Sequence, residues 1–111
     1  MKPTETIFSK VAGTSFYSVP WSEMKAGDKL VLKREPENIY DNNAIAILTN
    51  SGQQIGHINR IIAADIASLI DDGNLSVQCE ISNITGRENN KNRGCNIKLT
   101  LIYSDKYLNS F

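Results

Sequence analysis

Four side chains in the sequence have the chemistry best suited to binding or catalysis: Tyr40, Asp41, His57 and Arg60. An ionised carboxylate such as Asp41 can accept a hydrogen bond from a sugar hydroxyl, and it would repel a nearby phosphodiester. It therefore favours the end of a nucleic-acid strand, where a hydroxyl is present and the next phosphate is absent. The Tyr40 ring can stack on a base, which contributes ~1–3 kcal/mol per base.

A simpler interpretation of the same segment is structural. The side chains of Asp41, Asn42 and Asn43 are of the types that satisfy backbone groups in turns, so this run can serve as a turn and strand cap. Tyr40 would then pack over the end of the fold. The residues by themselves favour this second interpretation over a binding site.

His57 and Arg60 lie on either side of Asn59, which is predicted to cap a helix. The backbone N–H groups at a helix start, together with the Arg60 guanidinium, would form a phosphate site. The alternative is a histidine hydrogen-bonded at the end of a strand, followed by a solvated arginine. Both interpretations of His57 remain open on the sequence.

Two adjacent aromatic residues, Phe16 and Tyr17, follow a bend predicted at Gly13. Neighbouring residues of a strand point to opposite faces, so one of the two rings is expected to face solvent. An exposed ring could serve as a stacking platform. Aromatic residues at such a position more often belong to a core.

The charge balance excludes a uniformly basic surface. The chain has 12 Lys+Arg and 12 Asp+Glu, a formal net charge of zero, which argues against a coat for duplex DNA and against a polybasic membrane anchor. A local basic groove is still compatible with this balance. The one basic stretch could follow a nucleic-acid backbone, although a solvated loop explains it more simply; it comprises Arg87, Lys91, Arg93 and Lys98 against Glu88.

The sequence offers little for catalysis. His57 and Asp41 could form a general-base pair, but no obvious nucleophile accompanies them. One histidine and two distant cysteines, Cys79 and Cys95, are a poor set of metal ligands, and CxxC, Walker A, GxGxxG and HExxH motifs are absent. We therefore expect no enzymatic activity, no cofactor and no metal.

Length and composition indicate one globular domain, since the chain has 111 residues, of which 41% are hydrophobic and 22% charged. No apolar run approaches the ~18 residues that span a bilayer. The N-terminal residues contain no apolar segment of the kind found in secretory signals. These features predict a cytoplasmic protein without membrane association, in which Cys79 and Cys95 stay reduced.

Alternating apolar residues predict strands over 7–12, 29–33, 75–84 and 95–103, and a short continuous apolar run predicts a strand over 44–48 that returns over 53–58. A turn at 50–52 joins the last two of these into a hairpin. A short helical turn is expected within 18–27, and one main helix over 60–71. Short strands separated by close turns favour a small barrel or a partly open sheet. The domain is expected to span 7–103, between an N-terminal tail (1–6) and a frayed C-terminal tail (104–111).

Three segments in order resemble the HIRAN domain family. They are 11–17 (VAGTSFY), 32–45 (LKREPENIYDNNAI) and 52–60 (GQQIGHINR), the last followed by an Ala-rich helix. The most specific part is the run Asn-x-Tyr-Asp-x-Asn-Ala-Ile in the second segment. The resemblance extends over about residues 7–72 and continues weakly to the last strand.

The resemblance implies a mostly β fold, a small six-stranded OB-like β-barrel with one main α-helix and a short helical turn. HIRAN domains occur at the front of fork-remodelling helicases and as standalone bacterial proteins, and a eukaryotic member captures the 3′-hydroxyl end of single-stranded DNA. By the match, Tyr40 and Asp41 would contact the terminal nucleotide. Asn38, His57 and Arg60 would lie around the nearby base and phosphate. Phe16 and Tyr17 match the aromatic pair of the family, one of which stacks on a base.

The sequence departs from the DNA-binding eukaryotic pattern at three places. Ser15 stands where that member has arginine, which removes one phosphate contact, and Phe16 replaces a tyrosine. The loop 86–94 has no aromatic residue to form a second wall around a base. The chain also has no helicase motor.

Two functions follow as expectations. The first is a module that binds single-stranded DNA, at its 3′-hydroxyl end, in repair or at replication forks, with helicase or nuclease proteins as partners. The second is a protein-interaction or scaffold domain that keeps the fold without the site. For DNA binding, Arg60, Lys33, Arg34 and the basic stretch would supply about two to four phosphate contacts, giving a log–log salt slope of roughly −1.5 to −3.

Overall fold

The computed structural model describes residues 4–86 and 93–111. Within them the secondary structure follows the predicted order closely. The elements are β1 (Thr4–Lys10), 3₁₀ turns at Thr14–Phe16 and Trp21–Glu23, β2 (Lys29–Arg34), β3 (Ile45–Thr49), β4 (Gln54–His57), α1 (Arg60–Asp71), β5 (Leu75–Thr85), β6 (Gly94–Tyr103) and α2 (Asp105–Leu108).

The described strands form one six-stranded antiparallel sheet in the order β1-β6-β5-β2-β3-β4. The ladder between β2 and β5 is short, with only Lys29 opposite Glu80 and Leu30 opposite Cys79. The sheet therefore consists of two three-stranded halves that meet along a narrow seam. The predicted mostly β class, with six strands, one main helix and a short helical turn, is confirmed.

The sheet does not close into a barrel through a continuous ladder, which refines the OB-like prediction. Its two ends meet at one isolated bridge, where the Ala12 and His57 backbones each donate to the other's carbonyl at 2.9 Å. Gly13 then adopts φ 76°, a left-handed conformation that glycine tolerates best, and it ends the pairing by turning the chain away. The sheet is thus open, with its ends fastened at a single point.

The core lies between the sheet and α1 and is built from the alternating apolar residues of the strands. The largest fully buried aliphatic side chains are Ile45, Ile47, Ile55, Ile81, Ile97, Leu99 and Leu101. Helix α1 contributes the buried Ala63, Ile66 and Ala67, which recur at the spacing of one helical face. None of the helices in the described part of the chain is long and apolar enough to cross a membrane.

Both ends of the described chain differ from the prediction. β1 begins at Thr4 rather than Ile7. The tail from Ser104 is not frayed but forms α2, because the Ser104 side chain caps the Tyr107 N–H and the Tyr107 ring stacks on Tyr103 at 5.4 Å. This helix was not predictable from local sequence, because four residues are too short to form a stable helix alone and the contact of Tyr107 with Tyr103 of β6 supports it.

Gly56 makes the bridge between the sheet ends possible. A Cβ at this position would lie 2.5 Å from the Ala12 carbonyl oxygen and 2.6 Å from a Val11 methyl carbon. Both distances are far below van der Waals contact, and one of the two atoms belongs to the backbone. Only glycine lets the two segments approach this closely.

Gly56→Ala is therefore expected to lower the free energy of unfolding by about 1–3 kcal/mol, as overpacking of a tight site does. Urea denaturation of the wild type and the variant measures this difference. Gly27→Ala, at φ 93° and with no atom within 4 Å of the added Cβ, measures the cost of alanine at a positive φ without a clash, and the excess loss in Gly56→Ala is the cost of the clash. A Gly56→Ala variant as stable as the wild type would contradict the proposed packing.

Cys79 and Cys95 are free and buried on neighbouring strands. Burial raises the pKa of Cys79 to about 12 and that of Cys95 to about 11. Because the thiolate is the reactive form of cysteine, both side chains are expected to be inert in the native protein.

We expect the native protein, without reductant, to react slowly with a chromogenic disulfide reagent at about pH 8, where few of these thiols are ionised. Two thiols per chain should appear once the protein is unfolded. The absorbance that the reagent gains on reaction, followed over time with and without denaturant, compares the native with the unfolded protein. Fewer than two thiols in the unfolded chain, or fast reaction of the native protein, would be the contradictory result.

Candidate functional site

A groove of about 960 Å³ opens between the segment after β1, the loop that joins β2 to β3, and the start of α1. All seven residues predicted as a site line it, although they are spread over more than forty positions of sequence. They are Phe16, Tyr17, Asn38, Tyr40, Asp41, His57 and Arg60. The structure thus brings the whole predicted set together.

The loop owes its shape to Asn38. Its side-chain oxygen accepts hydrogen bonds from the Tyr40 N–H at 2.9 Å and the Asp41 N–H at 3.1 Å. One Asp41 carboxylate oxygen accepts from the Asn43 N–H at 2.9 Å. Asp41 therefore does cap a turn, as the structural interpretation held, and it still lines the groove. Tyr40 does not pack over the fold, because its side chain is 85% exposed.

His57 pairs with Glu35 and not with Asp41. The His57 Nε2 and Glu35 Oε1 atoms lie 2.6 Å apart, and the same Glu35 oxygen accepts from the Asn38 side-chain amide at 3.3 Å. Glu35 and His57 can meet because they flank the start of β3, opposite Ala44 and Ala46 respectively. The general-base pair suggested for His57 and Asp41 is therefore wrong in its partner.

Glu35 is the one ionisable residue of the described groove lining that is absent from the predicted set. It lies in the second segment that resembles the family, directly before Pro36 and three positions before the most specific run, and that position was the available signal. With Glu35 ionised, the Nε2 atom of His57 must carry the hydrogen that lies between them. The Nδ1 atom is then the nitrogen that a ligand could meet.

Arg60 forms the edge of the groove on the helix side. Its Nε lies 3.6 Å from an Asp41 carboxylate oxygen, and its Nη2 donates to the Tyr40 carbonyl at 3.4 Å. The Arg60 side chain is 79% exposed, so it remains accessible to a ligand. It is the first residue of α1, and the Asn59 side chain caps the helix by accepting from the Ile61 and Ile62 N–H groups, as predicted.

The two aromatic residues line the groove with different exposure. Phe16 is 85% exposed, so it is the expected outward ring, but it lies in the 3₁₀ turn Thr14–Phe16 and strand alternation is not the cause. Tyr17 is half-buried, its hydroxyl accepts from the Gln54 amide at 3.0 Å, and its ring centroid lies 6.1 Å from that of His57. Neither ring belongs to the core.

The charges of the groove nearly cancel. Among the described residues, the acidic side chains of the lining are Glu35 and Asp41, and the basic ones are Arg60 and His57. The groove is therefore neutral when His57 is protonated and carries one negative charge when it is not. Within the described residues, no cluster of three or more His, Cys, Asp or Glu could hold a metal ion.

Arg34 does not belong to the phosphate-binding cations, which corrects the expectation from the sequence. Its guanidinium is bound to Asp71 at 2.9 Å, and its side chain is only 13% exposed and does not line the groove. Of the predicted basic stretch, Arg87 and Lys91 lie outside the described residues, as does most of the aromatic-free loop 86–94. Arg93 and Lys98 do not line the groove.

The chain is similar to known proteins in both sequence and fold. A protein of Arabidopsis thaliana, the putative SWI/SNF-related matrix-associated actin-dependent regulator of chromatin subfamily A member 3-like 1, is 33% identical over 91 residues. The match covers 82% of this chain and 10% of that protein, so this chain spans about a tenth of the relative's length.

Two solved structures share the fold. The crystal structure of the HIRAN domain of human HLTF superposes with a TM-score of 0.77 at 21% identity, covering 95% of this chain and 81% of that one. The NMR structure of the HLTF HIRAN domain in its DNA-bound conformation gives 0.66 at 19% identity, with coverage of 95% and 80%.

The family model described as HIRAN domain matches residues 4–102, which include β1 to β5, the main helix and all of β6 except its last residue. This match covers most of the chain, and the fold comparison agrees with it. The chain belongs to the HIRAN domain family.

Proposed function

We propose that this domain binds single-stranded DNA and recognises its free 3′-hydroxyl end in the groove. The observation that carries the proposal is the convergence of all seven predicted residues on one groove, with the Asp41 carboxylate between an exposed tyrosine ring and an arginine. Repair sites and stalled replication forks are where such ends would be met, and helicase or nuclease proteins would be the partners there.

The charges of the groove favour an end over a continuous strand. A strand passing through would place phosphates beside the Glu35 and Asp41 carboxylates, with Arg60 as the one arginine in the lining. Like charges at that range repel. A 3′ end instead brings a hydroxyl, which can donate a hydrogen bond to Asp41, and its last phosphate lies one nucleotide away.

Each side chain then has a role that its geometry allows. The exposed rings of Phe16 and Tyr40 are free to stack on bases, which is favourable whatever the sequence. Arg60 would hold the last phosphate through its exposed guanidinium, since the Ile61 and Ile62 N–H groups at the start of α1 are already bound by the Asn59 cap. Tyr17 and His57 line the groove with ring centroids 6.1 Å apart, and because Glu35 engages the Nε2 atom of His57, Nδ1 is the nitrogen left for a ligand.

The comparison with HLTF supports this proposal at the level of the fold. A HIRAN domain that superposes on 95% of this chain has been determined in a DNA-bound conformation. DNA binding is therefore a property this fold can carry. Selection of a 3′ end would depend on the residues of this groove rather than on the fold.

A second function, that of a protein-interaction domain, is favoured by a different observation. Three large apolar residues are exposed at or near the groove, namely Phe16, Ile39 and Ile61. The described lining of the groove carries no excess of positive charge. Exposed apolar residues close together often mark protein interfaces. Ser15, which replaces an arginine of the DNA-binding pattern, is consistent with this alternative.

End selectivity is the prediction that separates the two functions. A 3′-phosphate would remove the donated hydrogen bond and bring a charge close to Asp41, so binding should weaken on the order of five- to hundred-fold, or about 1–3 kcal/mol. Fluorescence anisotropy with short oligonucleotides that carry a free or phosphorylated 3′ end measures the ratio. Equal binding of both would exclude end recognition, and no binding of either at low salt would favour the protein-interaction domain.

Three variants test which residue reads the end. Asp41→Asn keeps the oxygen that accepts from the Asn43 N–H but removes the repulsion, so the preference should shrink. Tyr40→Ala should weaken both oligonucleotides alike, because stacking does not depend on the terminus. Asp65→Asn removes a carboxylate from α1 outside the groove lining and should leave the ratio unchanged.

Salt dependence should be shallower than the sequence alone suggested. Since Arg34 is bound to Asp71 and Arg60 is the arginine that lines the groove, about one or two phosphates would be contacted. For single strands this gives a log–log slope of roughly −0.7 to −1.4. Titrations from low to moderate salt measure it, and a slope steeper than about −3 would mean that cations outside the groove dominate binding.

A further inference from the structure

Arg34 has an unusual set of partners for a residue that does not line the groove. Its Nε and Nη2 donate to the two carboxylate oxygens of Asp71, both at 2.9 Å. Its Nη2 also donates to the Asn42 carbonyl at 2.9 Å, and its Nη1 donates to the Ala44 carbonyl at 2.7 Å. One side chain therefore ties the end of β2, the loop after Asp41 and the last residue of α1 together.

These contacts hold the loop that carries Tyr40 and Asp41. The loop runs from Glu35 to Ala44 without a strand or helix of its own. Arg60 holds it at the start of α1 through Asp41 and Tyr40. Arg34 holds it against the other end of the same helix, and Asn42, whose carbonyl it binds, directly follows Asp41.

We propose that the pair of Arg34 and Asp71 is a positioning clamp that sets where Asp41 and Tyr40 lie and thereby determines the selectivity of the groove for a free 3′ end. This inference rests on the proposed function. The clamp acts through the loop and does not touch the ligand.

The chemistry of the clamp requires arginine. The planar guanidinium presents several donors in a fixed fork, which fits one carboxylate side-on and two carbonyls at once, and a lysine ammonium cannot reproduce this arrangement. The hydrogen bond to Arg34 also holds the pKa of Asp71 below its ordinary value. The ion pair therefore contributes its full stability to the fold above the ordinary pKa of an aspartate. This contribution is lost as the pH falls from that value through the lowered pKa of Asp71, so the pair is intact at neutral pH.

The first test needs no DNA. In the ¹H–¹⁵N spectrum of Asp71→Asn, the amide signals of Tyr40, Asp41 and Asn43 are expected to shift, and their hydrogen exchange to quicken. Glu80→Gln is the matched control, because it removes a carboxylate from the pair with Lys29 at 3.6 Å, outside the loop and helix. Loop signals that stay the same in Asp71→Asn would overturn the clamp.

The second test measures selectivity. In Asp71→Asn, the ratio between 3′-hydroxyl and 3′-phosphate binding should fall by about threefold or more, and it should be unchanged in Glu80→Gln. In Arg34→Met, the ratio should fall in the same way while the salt slope stays constant. A slope reduced by about 0.7 would mean that Arg34 contacts a phosphate directly, which contradicts a clamp.

The two proposals can fail separately. If the wild type binds no DNA, the proposed function is wrong, and the amide signals still decide whether the clamp positions the loop. If DNA binds selectively and the ratio survives in Asp71→Asn, the clamp alone is wrong. Should Asp71→Asn unfold under assay conditions, Arg34→Lys keeps the charge without the fork and gives the same comparison.

Discussion

Two hydrogen bonds between the backbones of Ala12 and His57 hold the two ends of the sheet together, and the groove exists because they do. The bridge brings the segment that carries Phe16 and Tyr17 beside the strand that carries His57. It forms only because Gly56 leaves room for the Ala12 carbonyl. A contact between residues more than forty positions apart thus creates one wall of the site, and the loop after β2 supplies the other.

The second wall depends on polar side chains instead of a ladder. Asn38 and Asp41 satisfy the backbone of the loop from within, Glu35 links it to His57, and the arginines at its two sides tie it to α1. Such a network is specific, because these directional hydrogen bonds can all form together only in one conformation of the loop. It also leaves the groove nearly neutral, a property that suits the uncharged terminus of a strand better than its charged backbone.

Local patterns were enough to predict the helix over 60–71, its Asn59 cap, the hairpin at 50–52 and the alternation of β5 and β6. The resemblance to a family identified the seven residues that line the groove. Partner choices were not predictable, since His57 meets Glu35, and Arg34 meets Asp71, only through the order of strands and the placement of α1. Short-range patterns contain no information about contacts of that kind.

Binding of a DNA 3′ end in the groove is tested most directly by a chemical-shift titration of the ¹⁵N-labelled domain with a short single-stranded oligonucleotide that has a free 3′-hydroxyl. We expect changes in the amide signals of the groove residues Tyr17, Tyr40, Asp41, His57 and Arg60. The amide signals on the outer face of the sheet, such as those of Thr6 and Lys98, should not change. Changes concentrated on the outer face, or none at any residue at low salt, would contradict the claim that this groove binds a DNA end.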